Sequence, residues 1–135
     1  MVLASLSKKS LQALSTCCPE LQAIVKQVIL ILDFSVIYGY RDGAKQDELF
    51  EQGLSKKKGG ESKHNEQPSE AVDLAPYPIN WKDSARFYVL ASAMITMAHM
   101  LGYVIRWGGD WDSDGDLSDQ SFMDLGHFEY IGRRS

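Results

Sequence analysis

Between Pro19 and Gly39 the spacing of apolar residues changes period, and this constrains the fold more than any other feature. Leu21, Ile24, Val25, Val28, Ile29 and Leu32 recur at steps of three and four, the stripe of an amphipathic helix. Pro19 suits the first turn of that helix, because a first-turn N–H has no intrahelical acceptor to lose. Directly afterwards Phe34, Val36 and Tyr38 alternate, which predicts a half-buried strand over 34–38 ending at Gly39. The segment thus places a helix directly before a strand. The rest of the chain repeats the mixture. A short helix is expected over 7–14, and another over 42–52, capped by Asp42 and stopped by Gly53. The longest helix is expected over 83–101, with Gly102 ending it, and strands over 71–74, 103–107 and 126–130. No βαβ rhythm and no internal repeat is present, so the expected class is α+β: one domain spanning 1–135, a small antiparallel sheet with flanking helices, and no second module.

Composition narrows the function. With 135 residues, 44% of them hydrophobic, the chain can bury a core without disulfide staples. Its formal net charge of −4 argues against a general nucleic-acid binder, which needs surplus Lys and Arg to meet phosphate. The run Lys56-Lys57-Lys58 beside Gly59-Gly60 reads as a solvated loop. Cys17 and Cys18 are adjacent, a poor arrangement for a disulfide with each other, so free thiols and a reducing compartment are expected. The N-terminal residues lack the pattern of a secretory signal, and the apolar run 28–32 is far too short to cross a bilayer. Neither a membrane nor a nucleic-acid partner is expected, and the expected state is a monomer.

Three residues form a candidate metal set: His64, Asp73 and His127. Zinc takes imidazole nitrogen and carboxylate oxygen, and a catalytic site keeps three protein ligands and one open position. Residues 54–69 are rich in Lys, Gly, Ser, Glu and Asn and form a loop, and His64 in that loop can fold back beside Asp73 on the next strand. On spacing alone a His and an Asp nine residues apart do not specify a metal site. His99, within the long helix among Met97, Met100 and Leu101, reads as a core or partly buried histidine outside the site.

The order of the motifs adds specificity. Gly39-Tyr40-Arg41, Gln46, Gly53-Leu54-Ser55-Lys56, Ser62-Lys63-His64, Ala71-Val72-Asp73-Leu74, and Asp124 followed by His127-Phe128-Glu129 occur in that order. This pattern resembles the family of zinc D-Ala-D-Ala carboxypeptidases and L-alanyl-D-glutamate endopeptidases, and in particular its phage endolysin branch. The likeness runs from about Ser7 to Tyr130. It implies zinc held by His64, Asp73 and His127, with Asp124 as catalytic acid/base and Arg41 assisting the substrate carbonyl or holding a substrate carboxylate. It further implies that Ser62 binds substrate backbone or orients the loop. The chain departs from the family pattern in three places. Nine residues, not seven, separate His64 from Asp73, Tyr40 stands where relatives often carry His, and Asp124 stands where carboxypeptidase members often carry Glu. Glu129 is a second candidate for the catalytic carboxylate. Tyr40 and Trp107 could wall a cleft, although aromatics on a strand commonly join the core.

Residues 108–121 form an acidic loop. Asp110, Asp112, Asp114, Gly115, Asp116 and Ser118 match the first part of an EF-hand calcium loop in register, while position 12 is Ser121 and Asp119 stands at position 10. Bound calcium is the expectation, because Asp residues this closely spaced repel one another unless neutralised.

The implied function is hydrolysis of the peptidoglycan stem peptide by an L-alanyl-D-glutamate endopeptidase, during phage lysis of the host. The protein is expected in the host cytoplasm until a separate membrane-permeabilising protein releases it to the periplasm. The alternatives are a D-Ala-D-Ala carboxypeptidase, a non-catalytic metal-binding module that recognises cell wall, and a calcium-controlled binding protein.

Overall fold

The computed structural model describes residues 4–55, 57, 59–60, 62–115 and 124–135. Helix α1 spans Lys8–Leu14, and the Ser7 hydroxyl accepts from the Ser10 N–H to cap it. Helix α2 spans Pro19–Val28 and buries Leu21, Ile24, Val25 and Val28. The predicted stripe continues to Leu32, but the helix ends at Val28. Residues 29–32 turn instead, leaving Leu30 and Ile31 exposed, because the chain must reverse to enter strand β1, Phe34–Tyr38.

Helix α3, Gly43–Glu51, is capped by Asp42, whose carboxylate accepts from the Lys45 N–H. Gly53 follows at φ +74°, the left-handed position that ends helices. A single 3-10 turn, Lys63–Asn65, precedes strand β2, Ala71–Pro76. Helix α4, Ser84–Met100, leads into strands β3, Tyr103–Gly108, and β4, Asp124–Arg133. Strand β4 is longer than its apolar pattern predicts, since its ends carry polar residues that pair along β3. None of the helices among the described residues is long and apolar enough to cross a membrane.

The four strands form one antiparallel sheet in the order β1-β2-β4-β3. Alternate residues separate its two faces. Val36, Val72, Leu74, Ile105, Trp107 and Phe128 join the core with α2 and α4, where Leu90, Ala91, Met94 and Ala98 are buried. Trp107 therefore belongs to the core, and its indole N–H donates to the Leu125 carbonyl at 2.8 Å. Tyr38, Asp73 and His127 pair across adjacent strands on the opposite face, as do Glu129 and Arg106. Gly126 is required where β4 approaches β2, because a Cβ there would collide with the Leu74 carbonyl oxygen.

Candidate metal centre

The polar face of the sheet carries two of the three candidate ligands as direct cross-strand partners, Asp73 on β2 and His127 on β4. The third arrives from the loop. Ser62 caps the 3-10 turn, its hydroxyl accepting from the His64 N–H at 3.1 Å, and Asn65 completes a capping box. The turn is fastened to the end of β1: Arg41 N–H donates to the His64 carbonyl at 2.8 Å, and the Asn65 amide donates to the Arg41 carbonyl at 2.7 Å. Gly39 packs against the end of α1 where a Cβ would strike Thr16 and Ala13, and its carbonyl faces the His64 ring.

His64 Nε2 lies 3.0 Å from Asp73 Oδ1 and 3.2 Å from His127 Nδ1, and His127 Nδ1 lies 2.9 Å from the same Asp73 oxygen. His64 and His127 are buried, and Asp73 is partly exposed. The outer nitrogens fix the tautomers. His64 Nδ1 must donate to the Gly39 carbonyl at 2.8 Å, leaving a lone pair on Nε2. His127 Nε2 faces Glu129 Oε1 at 3.0 Å. Burial raises the Glu129 pKa, but its bonds with His127 and Arg106 outweigh that and hold it at about 2. This ionised carboxylate accepts a hydrogen bond from Nε2–H, so in the neutral ring His127 Nδ1 also presents a lone pair.

With both rings neutral, three acceptors thus converge with no donor among them, an arrangement that calls for a metal cation or a proton. Tetrahedral bonds of about 2.0–2.1 Å to one metal place donor atoms about 3.3 Å apart, close to the observed spacings. The protonation equilibria express the same demand. Burial lowers the His127 pKa, yet hydrogen bonds with Asp73 and Glu129 prevail and lift it to about 9. Burial opposes ionisation of Asp73 too, and the two histidines hold it well below the usual carboxylate range. The donor set fits a divalent metal with an open fourth position.

Supporting contacts surround the triad. Asp73 Oδ2 accepts from Arg41 Nη2 at 3.0 Å, and Arg41 Nη1 donates to Gln46 Oε1 at 2.8 Å. Gln46, fully buried, donates in turn to Ser55 Oγ and the Lys57 carbonyl at 2.7 and 2.6 Å. Both terminal nitrogens of Arg41 are therefore engaged in holding Asp73. Asp124, at the start of β4, is near the triad without joining it: Oδ2 is 4.0 Å from His127 Nδ1, and 44% of the side chain is exposed. Burial first, and then the charge of Asp73, raise its pKa.

A cleft of about 630 Å³ opens over the triad, with Arg41, Ser62, Trp81, Arg106, Trp111 and Asp124 among its lining residues. The Trp111 ring lies 5.5 Å from that of His127, and Trp81 stacks on Phe87 at 5.7 Å. The aromatic walls are thus Tyr38, Trp81 and Trp111, while Tyr40 and Trp107 do not line the cleft. His99 stands apart as expected, but it is exposed on α4, not buried as its apolar neighbours suggest.

Sequence reasoning missed Glu129 as the partner of a candidate ligand histidine. Its buried position, with one oxygen on His127 and the other on Arg106, suits that task. The signal was available, since residues two apart on a strand share a face. In the acidic loop the carboxylates of Asp110, Asp112 and Asp114 lie within 4.8 Å of one another. Asp116, Ser118 and Asp119 fall outside the described residues.

Residues 1–131 match the family model for phage L-alanyl-D-glutamate peptidase. The L-alanyl-D-glutamate peptidase of Escherichia phage T5 is 32% identical, over 92% of this chain and 96% of that protein. The peptidoglycan L-alanyl-D-glutamate endopeptidase CwlK of Bacillus subtilis (strain 168) is 30% identical, over 74% of this chain and 62% of its own length. Among solved structures, the Serratia marcescens L-Ala D-Glu endopeptidase ChiX superposes with a TM-score of 0.74 at 24% identity, covering 94% of this chain and 90% of that one. The vancomycin-resistance D,D-pentapeptidase VanY, solved with Zn(II), superposes at 0.56 and 16% identity, covering 86% and 73%. A match across nearly the whole sequence, together with a relative 32% identical over 96% of its own length, establishes that this chain belongs to the phage L-alanyl-D-glutamate peptidase family.

Proposed function

We propose that this chain hydrolyses the L-alanyl–D-glutamate bond of bacterial peptidoglycan, using one zinc ion held by His64, Asp73 and His127, as a phage lysis enzyme. The convergence of three acceptors within 3.2 Å of one another, inside a family of such peptidases, carries the reading. Zinc bound there supplies a water whose pKa falls to about 7 and a Lewis acid for the scissile carbonyl. The chain's residues do the rest. Asp124, beside the triad and half-open to the cleft, receives the water proton at a carboxylate oxygen and delivers it to the leaving amine. Glu129 and Gly39 hold the two ring orientations, and Arg41 holds Asp73 while lining the cleft. The Ser62 hydroxyl, accepting from His64 N–H, keeps its own proton for a substrate backbone oxygen.

The test is mass spectrometry of purified peptidoglycan digested with and without chelator. New peptides beginning with D-glutamate, absent after chelation, are expected. Release of free D-alanine instead would assign the carboxypeptidase activity, and no cleavage would leave a wall-binding module.

Calcium in the acidic loop is a second part of the proposal. Gly115 stands at φ +80° and its N–H donates to Asp110 Oδ2 at 2.9 Å, while Asp110 Oδ1 is buried without a partner among the described residues. That turn suits the sixth position of an EF-hand loop. Trp111, between two of these acids, lies against the His127 ring, so a cation held by Asp110 and Asp112 would fix one wall of the cleft. Calcium titrated into the metal-loaded protein is expected to raise both melting temperature and turnover, and magnesium to do neither. An unchanged response in the double variant Asp112→Ala, Asp114→Ala would remove the site.

A further inference from the structure

Arg106 projects from β3 on the same face as the metal triad and lines the cleft. Its Nη2 donates to Glu129 Oε2 at 2.7 Å, and its guanidinium lies 5.4 Å from the Trp111 ring. These contacts use little of its capacity, since a guanidinium carries five N–H donors in a planar fork. Nε is buried with no partner among the described residues, and 38% of the side chain remains exposed. The other cleft arginine also has an unpartnered Nε, but both its terminal nitrogens are tied, to Asp73 and Gln46, and only 7% of its side chain is exposed.

Charge favours an anion here. Asp73, Asp124 and Glu129 face Arg41, Lys57 and Arg106 around the cleft, so a bound dication leaves the site positive. The proposed substrate supplies one anion in a fixed place. When the nitrogen of a glutamate is the leaving amine and one of its carboxyls continues the chain, the other carboxyl is free. It lies only two to four bonds from the scissile nitrogen. Arg106 is two hydrogen bonds from the metal-facing His127, through Glu129. Lys57 lines the cleft from an exposed loop, whereas Arg106 stands on the sheet, half-fixed by Glu129, and loses less freedom on binding.

We infer that Arg106 is a specificity-determining residue that binds the free carboxylate of the substrate's D-glutamate and so selects an acidic residue on the leaving-group side of the bond. The inference rests on the proposed endopeptidase reading. Glu129 and Trp111 hold the guanidinium, and the remaining edge of its fork meets the two carboxylate oxygens side by side. A site built this way rejects a substrate whose carboxylate is amidated, because one buried donor is then left facing another.

The experiment compares two soluble stem peptides, identical except that the free glutamate carboxylate is a carboxamide in one. In the zinc-loaded wild type, amidation is expected to lower kcat/KM by roughly 10- to 100-fold. In Arg106→Gln the two peptides should be cut at rates within about twofold of each other, as expected when the discriminating charge is gone. Arg106→Lys, which keeps a charge for Glu129 but loses the planar fork, should discriminate less than wild type. Metal content is measured in every variant. If Arg106 acts only by supporting Glu129 and His127, both peptides lose activity by one factor and the ratio survives, which overturns the inference. A wild type that cuts both peptides equally well overturns it too. A wild type that cuts neither refutes the endopeptidase reading itself and this inference with it.

Discussion

Asp124 and Glu129 are both acids within three residues of His127, and their surroundings divide the work between them. Glu129 is buried, ionised and bonded on both oxygens, so it holds a ring in place. Asp124 is half-open, with its pKa raised by burial and by Asp73, as suits its proposed role of taking up and releasing a proton. Asp124→Ala is therefore expected to keep its metal and lose about 10²–10⁴-fold in turnover. Glu129→Ala should instead weaken metal affinity by about 10–100-fold, the usual cost of removing the group that orients a ligand histidine. Metal content and kinetics measured on the same samples separate the two roles. The buried cysteines give a further residue-scale prediction. Burial pushes the Cys17 thiol up to about 12 from an ordinary 9.0. A raised acid pKa adds stability that is complete below pH 9 and is lost as pH climbs toward 12. At pH 8 the folded protein should therefore react slowly with a thiol reagent at Cys17 and Cys18, and unfolding should release both. Rapid reaction in the native state would contradict the burial of these residues.

At the scale of elements, the site depends on two close approaches. Strand β4 reaches β2 through Gly126, and the 3-10 turn reaches the end of β1 through the backbone of Gly39 and Arg41. Gly126→Ala should destabilise the protein by about 1–3 kcal/mol, because a methyl group against the Leu74 carbonyl forces the strands apart. The shift in urea midpoint reads this cost. Metal affinity should fall in the same variant, since Asp73 and His127 are partners across those strands.

For the molecule as a whole, metal binding and stability are linked. The converging acceptors repel one another until a cation or a proton joins them, so ligand binding to the folded state must raise the melting temperature. The gain is about 2.7 kcal/mol when free metal is a hundredfold above its dissociation constant. Thermal scans with zinc and with chelator should show the difference in wild type and in His99→Ala, whose side chain is far from the site. The same scans should show none in His64→Ala. A shift that survives in His64→Ala would move the metal elsewhere.

Much of this architecture is legible in the sequence because its signals are local. Apolar period, Pro19, Asp42, Gly53 and Gly102 mark helices and strands by backbone chemistry that acts within a few residues. The ordered motifs around His64, Asp73 and His127 likewise mark the site through resemblance. What needed the tertiary structure was every relation between distant segments. The period that continues to Leu32 cannot show that the chain must turn after Val28 to reach the sheet. Methionine and leucine neighbours cannot show that His99 faces solvent. No local pattern pairs Arg106 with Glu129 across two strands, or sends Trp111 and not Trp107 into the cleft. Spacing along the chain specifies which residues share a face, whereas the order β1-β2-β4-β3 decides which faces meet, and that order is set by burial of the whole core at once.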